Sequence, residues 1–146
     1  MHVAVFNGSP RRNGNTARLC KLFCETLAAE DISSEIIQVG GVKIHGCLEC
    51  NHCRRTGEEV CIQKDDPFNE WFEKMRAADG IVLATPVFVG NVTSEMKALI
   101  DRACYISRMR VRVQGQDNIF KHKVAAPLIA VRRAGACLLY TSPSPR

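Results

Sequence analysis

Four short apolar runs, separated by stretches of a longer hydrophobic period, leave this chain few folds to choose from. Residues 2–7, HVAVFN, read as a strand that runs into a Gly-Ser-Pro turn. From Thr16 the period lengthens, and Leu19, Leu22, Phe23 and Leu27 mark one face of a helix ending near Glu30. Cys20 and Cys24 sit in that helix as core-side small hydrophobes. A second strand covers Glu35 to Val39 and stops at Gly40-Gly41. Pro67 suits a first helical turn, and Phe68, Trp71, Phe72 and Met75 continue at helical spacing, which makes the single Trp a core residue. Gly80 opens IVLATPVF, the continuous apolar run of a strand buried on both faces. The next helix spans Thr93 to about Cys104 with Met96, Leu99 and Ile100 facing inward, and residues 106–122 read as polar and irregular. Val124 to Val131 is the fourth strand. The order β-α-β-α-β-α-β implies a parallel sheet with helices on both faces.

At 146 residues, 46% apolar and 24% charged, the chain has the length and composition of one soluble domain with a single core. No apolar run approaches the ~18 residues of a membrane span. The amino-terminal run Val3 to Phe6 is a strand and not a signal peptide, so the expected compartment is the reducing cytoplasm, which argues against disulfides. The net charge is +5. Its densest basic stretch, Arg102 to Arg112, holds four arginines without interleaved stacking aromatics and reads as a solvated face, with no nucleic-acid or membrane partner.

The connection from about Lys43 to Asp66 is long for a loop without structure of its own. It contains GCLECNHCRRTGEEVC, in which Cys47, Cys50 and Cys53 are spaced C-x2-C-x2-C and Cys61 follows after seven residues. Zinc knuckles bring two close pairs separated by a longer gap. Three cysteines at consecutive x2 spacing are closer to the ferredoxin run, whose short turns aim several thiolates at one cubane. A 4Fe–4S cluster, a zinc ion and free thiols all stay open on the residues alone. His45 and His52 read as solvated loop residues, and Cys104 and Cys137 carry no assigned role.

The loop after the first strand, GSPRRNGNT from Gly8 to Thr16, is built to meet an anion. Gly8 and Gly14 allow close backbone approach, Ser9, Asn13, Asn15 and Thr16 offer short polar side chains, and Arg11 and Arg12 add charge. It matches neither the Walker loop nor the G-x-G-x-x-G fingerprint.

GSPRRNGNTARL resembles the FMN phosphate loop of the flavodoxin-like NAD(P)H-dependent FMN reductases. ADGIVLATPVFVGNVTSEMKALIDR, Ala78 to Arg102, resembles the same family's second flavin loop and the helix behind it, and the four-cysteine segment followed by Asp65-Asp66 resembles its iron–sulfur flavoprotein branch. The resemblance implies that Ser9, Arg11, Asn13, Gly14, Asn15 and Thr16 hold the FMN phosphate. It implies that Thr85, Pro86, Val87, Phe88, Gly90 and Asn91 line the ribityl chain and ring, and that Cys47, Cys50, Cys53 and Cys61 ligate a 4Fe–4S cluster. The family often has Tyr where this chain has Val87 or Phe88. A third flavin-side loop is expected near Arg132 to Gly135. The implied activity moves electrons between a donor, NAD(P)H or ferredoxin, and an acceptor through FMN and the cluster, in a homo-oligomer. Alternatives are a cluster-free NAD(P)H-dependent FMN or quinone reductase and a non-redox zinc-binding module on the same fold. Hydride transfer to a flavin requires no acid–base side chain, so no residue is assigned a catalytic role.

The last ten residues, CLLYTSPSPR, carry no strand or helix period where a doubly wound sheet would add a fifth strand and a closing helix. They resemble translated sequencing-adaptor sequence behind a broken reading frame. The expected organisation is a flavodoxin-like α/β domain at 1–136, ending after strand four, with a cysteine-rich insertion at 43–66 and a non-native tail at 137–146.

Overall fold

Alternating side chains of the first strand face two different cores, and the rest of the architecture follows from that. The computed structural model describes residues 1–132 and Gly135. Strand β1 (His2–Asn7) sends Ala4 and Phe6 into one apolar cluster and Val3 and Val5 into another. A strand covered on both faces must sit inside a sheet. The chain continues with helix α1 (Asn15–Ala29), β2 (Ser33–Gln38), α2 (His52–Thr56), α3 (Phe68–Ala77), β3 (Gly80–Pro86), α4 (Ser94–Gln114) and β4 (Val124–Ala130). All pairings are parallel, in the order β2-β1-β3-β4 expected of a flavodoxin-like sheet. The register sets Val5 beside Ile36 and Val82, and Val82 beside Ala126.

Helix α1 covers one face through Cys20, Phe23, Cys24 and Leu27, packed on Val3, Val5, Val82 and Ala84. Helices α3 and α4 cover the other, where Phe68, Trp71, Phe72, Met75, Met96 and Leu99 meet Ala4, Phe6, Ile37 and Ile81. The rings of Phe68 and Phe72 stack with centroids 5.6 Å apart. Among the described residues, no helix is long and apolar enough to cross a membrane.

Three expectations need correction. Leu22 is 62% exposed, because α1 turns Ala17 and Cys20 toward the sheet, where small side chains permit close approach. Period alone fixed that a face exists, not which of two adjacent stripes it is. The 43–66 connection is not structureless: it holds the one-and-a-half-turn α2, bounded by left-handed residues Asn51 (φ 58°) and Gly57 (φ 71°). Helix α4 runs ten residues past Cys104 to Gln114, so residues 106–114 are helical. The stretch looks irregular in sequence because Arg110 and Gln114 have their partners in the cysteine loop and Ser107 has its partner at Asn118. The tail at 137–146, and the third flavin-side loop apart from Arg132 and Gly135, lie outside the described residues.

Chain direction sets where ligands can reach. From β1 the chain moves to β2 at one side, and from β3 to β4 at the other, so the carboxyl ends of adjacent β1 and β3 form the topological switch point. The loops after β1, β2 and β3 therefore leave one edge of the sheet together. Gly40 lets two of them touch. A Cβ there would stand 2.3 Å from the Gly8 carbonyl oxygen and 2.3 Å from the Ser9 carbonyl carbon. Gly40→Ala should therefore destabilise the fold by about 1–3 kcal/mol, the range for overpacking, as read from urea denaturation midpoints. A midpoint equal to wild type would mean that the two loops do not rest on each other.

Candidate functional site

The loop after β1 is fixed by hydrogen bonds before any ligand is considered. Asn7 Nδ2 donates to Gln38 Oε1 at 2.9 Å, and Gln38 Nε2 donates to the carbonyls of Ser9 and Gly40, each at 2.7 Å. The Ser9 N–H donates to Asn7 Oδ1 at 3.0 Å, and Ser9 Oγ accepts the Arg11 N–H at 3.3 Å. Gly14 then caps α1 without a side-chain bond, and the first turn holds no acidic residue. The amino end of α1 thus keeps donors uncapped by side chains and carries no carboxylate to repel an anion. Ser9 and Thr16 are buried and Gly14 is half-buried, whereas Arg11, Asn13 and Asn15 face solvent. The predicted phosphate residues do come together around one helix end.

The second predicted loop is joined to the first. The Gly8 N–H donates to the Ala84 carbonyl at 2.7 Å, and Thr93 Oγ1 donates to the Gly8 carbonyl at 2.8 Å. Thr85 is buried, with its hydroxyl donating to the Pro86 carbonyl at 2.9 Å and accepting the Thr93 N–H at 3.3 Å. That hydroxyl serves the turn rather than the surface. Phe88 and Asn91 exchange backbone bonds of 2.9 and 3.0 Å across a tight turn in which Val89 (φ 49°) and Gly90 (φ 74°) are both left-handed. Pro86, Val87 and Gly90 are half-buried, and Phe88 and Asn91 are exposed.

The cysteine loop follows β2. Cys47, Cys50, Cys53 and Cys61 line one pocket together with His52, Gln63, Arg102 and Tyr105. All four are free thiols. Burial pushes the Cys53 thiol up, and the neighbouring Cys47, Cys61 and Cys50 push it further against a bond from the Arg54 backbone. As placed, the thiols do not close on a single ion: among the described residues, no three His, Cys, Asp or Glu groups are positioned to hold one. His45 is exposed as expected, but His52 is partly buried and lines the pocket.

One face of α4 braces this loop. Arg102 is not on a solvated face, because its side chain is 1% exposed and its Nη1 donates to Asp66 Oδ2 at 2.6 Å. Nη1 also reaches the His45 carbonyl and Nη2 the Gln63 carbonyl, each at 3.2 Å, and the guanidinium lies 4.0 Å over the Phe68 ring. Further along, Tyr105 donates to Asn51 Oδ1 at 2.8 Å, Arg110 pairs with Glu59, and Gln114 donates to the Gly57 carbonyl. From α3, Asn69 clamps the Cys61 backbone, accepting its N–H at 2.8 Å and donating to its carbonyl at 2.9 Å. Sequence reading missed these braces. One signal was present: Arg102 falls in phase with buried Met96, Leu99 and Ile106, where an arginine needs a buried carboxylate.

A model of the family described as NADPH-dependent FMN reductase matches residues 1–141. The chain belongs to that family. An iron–sulfur flavoprotein of Methanocaldococcus jannaschii is 37% identical over 103 residues, which cover 70% of this chain and 52% of the relative. One from Methanosarcina thermophila is 31% identical over 128 residues, covering 88% and 62%, and one from Archaeoglobus fulgidus is 35% identical over 138 residues, covering 93% and 63%. The chain thus spans between 52% and 63% of the length of these relatives. Solved structures show the same fold at lower identity. RosB with a bound riboflavin-phosphate intermediate has a TM-score of 0.66 at 22% identity, over 95% of this chain and 55% of that one. An FMN-dependent NADH-azoreductase from Bacillus anthracis has 0.66 at 14%, over 99% and 73%.

Asp66 holds the loop, the start of α3 and α4 at one point. Its carboxylate accepts the His45 N–H at 2.9 Å and the Phe68 N–H at 3.1 Å besides Arg102. Burial alone would raise its pKa, but these bonds outweigh burial and hold it below the usual carboxylate value. A depressed folded-state pKa makes its stabilisation complete above about pH 5 and lost as pH falls through the folded value. Asp66→Asn should cost about 3–5 kcal/mol at neutral pH by leaving Arg102 buried without its carboxylate. It should also flatten the loss of stability below about pH 4 expected of the wild type. Urea titrations across pH measure both, and an unchanged acid slope would show that Asp66 does not carry that transition.

Proposed function

We propose that the chain is the FMN-binding portion of an iron–sulfur flavoprotein-like oxidoreductase, passing electrons between NAD(P)H or a ferredoxin-type donor and an acceptor. The observation that carries this reading is the joining of the β1 and β3 loops at the carboxyl edge of the sheet, where an α1 end uncapped by side chains meets a tight backbone turn, together with four free thiols that line one pocket in the loop after β2. The names of the curated relatives support the iron–sulfur half, and the family model supports the flavin half. Bound FMN would accept two electrons from a reduced nicotinamide and release them singly, which is the chemistry a neighbouring cluster requires.

The protein's own residues bind and orient. Arg11 and the hydroxyls of Ser9 and Thr16, with Asn13, Asn15 and the backbone from Gly14, would hold the phosphate at the α1 terminus. Thr85 to Asn91 would meet the ribityl chain and ring through backbone groups, since the Thr85 hydroxyl is engaged in the turn and Phe88 has no phenol. Cys47, Cys50, Cys53 and Cys61 would each supply one thiolate to a 4Fe–4S cluster. A cubane takes one thiolate on each iron and so spaces its ligands more widely than a single tetrahedral zinc does. The family resemblance supports a homo-oligomer.

A second reading is a cluster-free NAD(P)H-dependent FMN or quinone reductase in which the four cysteines stay as the free thiols seen here. The visible spectrum of anaerobically purified protein separates the two. Flavin bands with a broad blue-region shoulder support the first, and flavin bands alone support the second.

Arg11→Ala and Thr16→Val should each weaken FMN binding by about 1.5–3 kcal/mol, the value of a lost hydrogen bond to a charged group. Fluorescence titration of FMN measures this, and unchanged affinity in both variants would remove the phosphate assignment. Serine at each of Cys47, Cys50, Cys53 and Cys61 should cost most of the iron and the blue absorbance while leaving flavin. Cys104→Ser, at an exposed position on α4, should leave iron untouched. Iron at full stoichiometry in the Cys61 variant would place the fourth ligand elsewhere. A colourless metal that survives air and leaves with chelator would indicate zinc.

A further inference from the structure

The Arg102 guanidinium has five N–H donors, and its surroundings use them unevenly. Nη1 serves Asp66 and the His45 carbonyl, Nη2 serves the Gln63 carbonyl, and Phe68 covers the flat face. Nε is buried and has no hydrogen-bond partner. A buried unsatisfied N–H costs about 1–3 kcal/mol, so such a group in a native fold calls for an acceptor. Among the described residues lining the thiol pocket, Arg102 is the one arginine. Every acceptor that Asp66, His45 and Gln63 provide is on the guanidinium's other two nitrogens.

We propose that the Nε–H of Arg102 is the pocket's hydrogen-bond donor to sulfur, a thiolate or a cluster sulfide, and that Arg102 sets the redox potential of the centre held there. This rests on the reading that the four cysteines hold an iron–sulfur cluster. Asp66 is the positioning residue, because its carboxylate fixes the guanidinium's rotation. A donor and a fixed positive charge beside the centre favour its more negative, reduced form, which raises the potential. Asp66 neutralises that charge in part, so the directed N–H carries the effect. The arrangement also gives a reason for an ion pair whose arginine lines the thiol pocket: a hydrophobic pair would pack there but would offer sulfur no donor.

The test uses iron-loaded protein labelled with 15N in arginine only, in a background carrying Arg54→Lys and Arg55→Lys. Both of those arginines are exposed and directly follow Cys53, so their removal leaves Arg102 as the guanidinium at the pocket among the described residues. Pulsed EPR of the reduced centre should show a weakly coupled 15N. Arg102→Lys keeps a cation for Asp66 and removes the Nε–H. It should abolish the coupling and lower the midpoint potential, by about 59 mV for each tenfold loss of preference for the reduced form. Iron content and thermal midpoint of the variant establish that it is folded. Should it not fold, the 15N signal of the Arg102-containing protein decides alone. Iron present without 15N coupling, or an unshifted potential in folded Arg102→Lys, overturns this inference and leaves the cluster reading intact. Absence of iron from the otherwise unmodified protein overturns both.

Discussion

Where the cysteine loop returns to the body of the protein, a carboxylate and a guanidinium meet with almost no exposure to solvent, at 0% and 1% of their side chains. Removing two charges from water is costly, and the pair is tolerable only because nearly all of their remaining hydrogen-bonding capacity is filled. Asp66 accepts from the backbone on both sides, at His45 and Phe68, and Arg102 donates to two loop carbonyls. The result is geometric. Position 45, just before the first cysteine, position 63, just after the last, the first turn of α3 and the middle of α4 are referred to one point. A loop of more than twenty residues would otherwise have many ways to lie, and its thiols would have no common pocket.

The edge where the loops after β1, β2 and β3 meet depends on backbone proximity rather than charge. Gly8 lies against Ala84, Thr93 and Met96, and Gly40 lies against Gly8 and Ser9. With side chains removed at these contacts, three strand ends bring their loops within hydrogen-bonding distance of one another, and the Asn7–Gln38–Ser9 amide chain locks the first loop in place. A loop ordered in this way loses little further freedom on meeting a ligand, which is what makes a rigid loop a better binding site than a mobile one. Glu95, at the start of α4, receives the Gly41 N–H at 3.1 Å and so joins the loop after β2 to the same assembly.

Strand and helix order was legible in the sequence because each element repeats its period several times. Val3 to Phe6 and Ile81 to Ala84 have no polar break, and Phe68, Trp71, Phe72 and Met75 repeat at helical spacing. The glycine- and amide-rich loop after β1 and the four-cysteine run stand out in the sequence because glycine, amide and thiol groups at short spacing have few alternative uses. What failed was decided by partners distant in the chain. Leu22 has as strong an apolar signal as Leu27, and only the sheet's position makes one of them exposed. Arg102, Arg110 and Gln114 look like surface residues until Asp66, Glu59 and Gly57 are set opposite them, across 36, 51 and 57 residues of chain.

The sequence by itself determined the alternation of strand and helix, the parallel sheet and which loops leave its carboxyl edge, because local period and local composition encode these. Tertiary structure alone decided that α4 extends to Gln114, that Asn69 holds the Cys61 backbone and that a buried arginine lines the same pocket as four thiols. The physical reason is that a polar side chain in sequence has no meaning for burial until its partner is placed. Long-range pairing then supplies the hydrogen bonds that let it leave water.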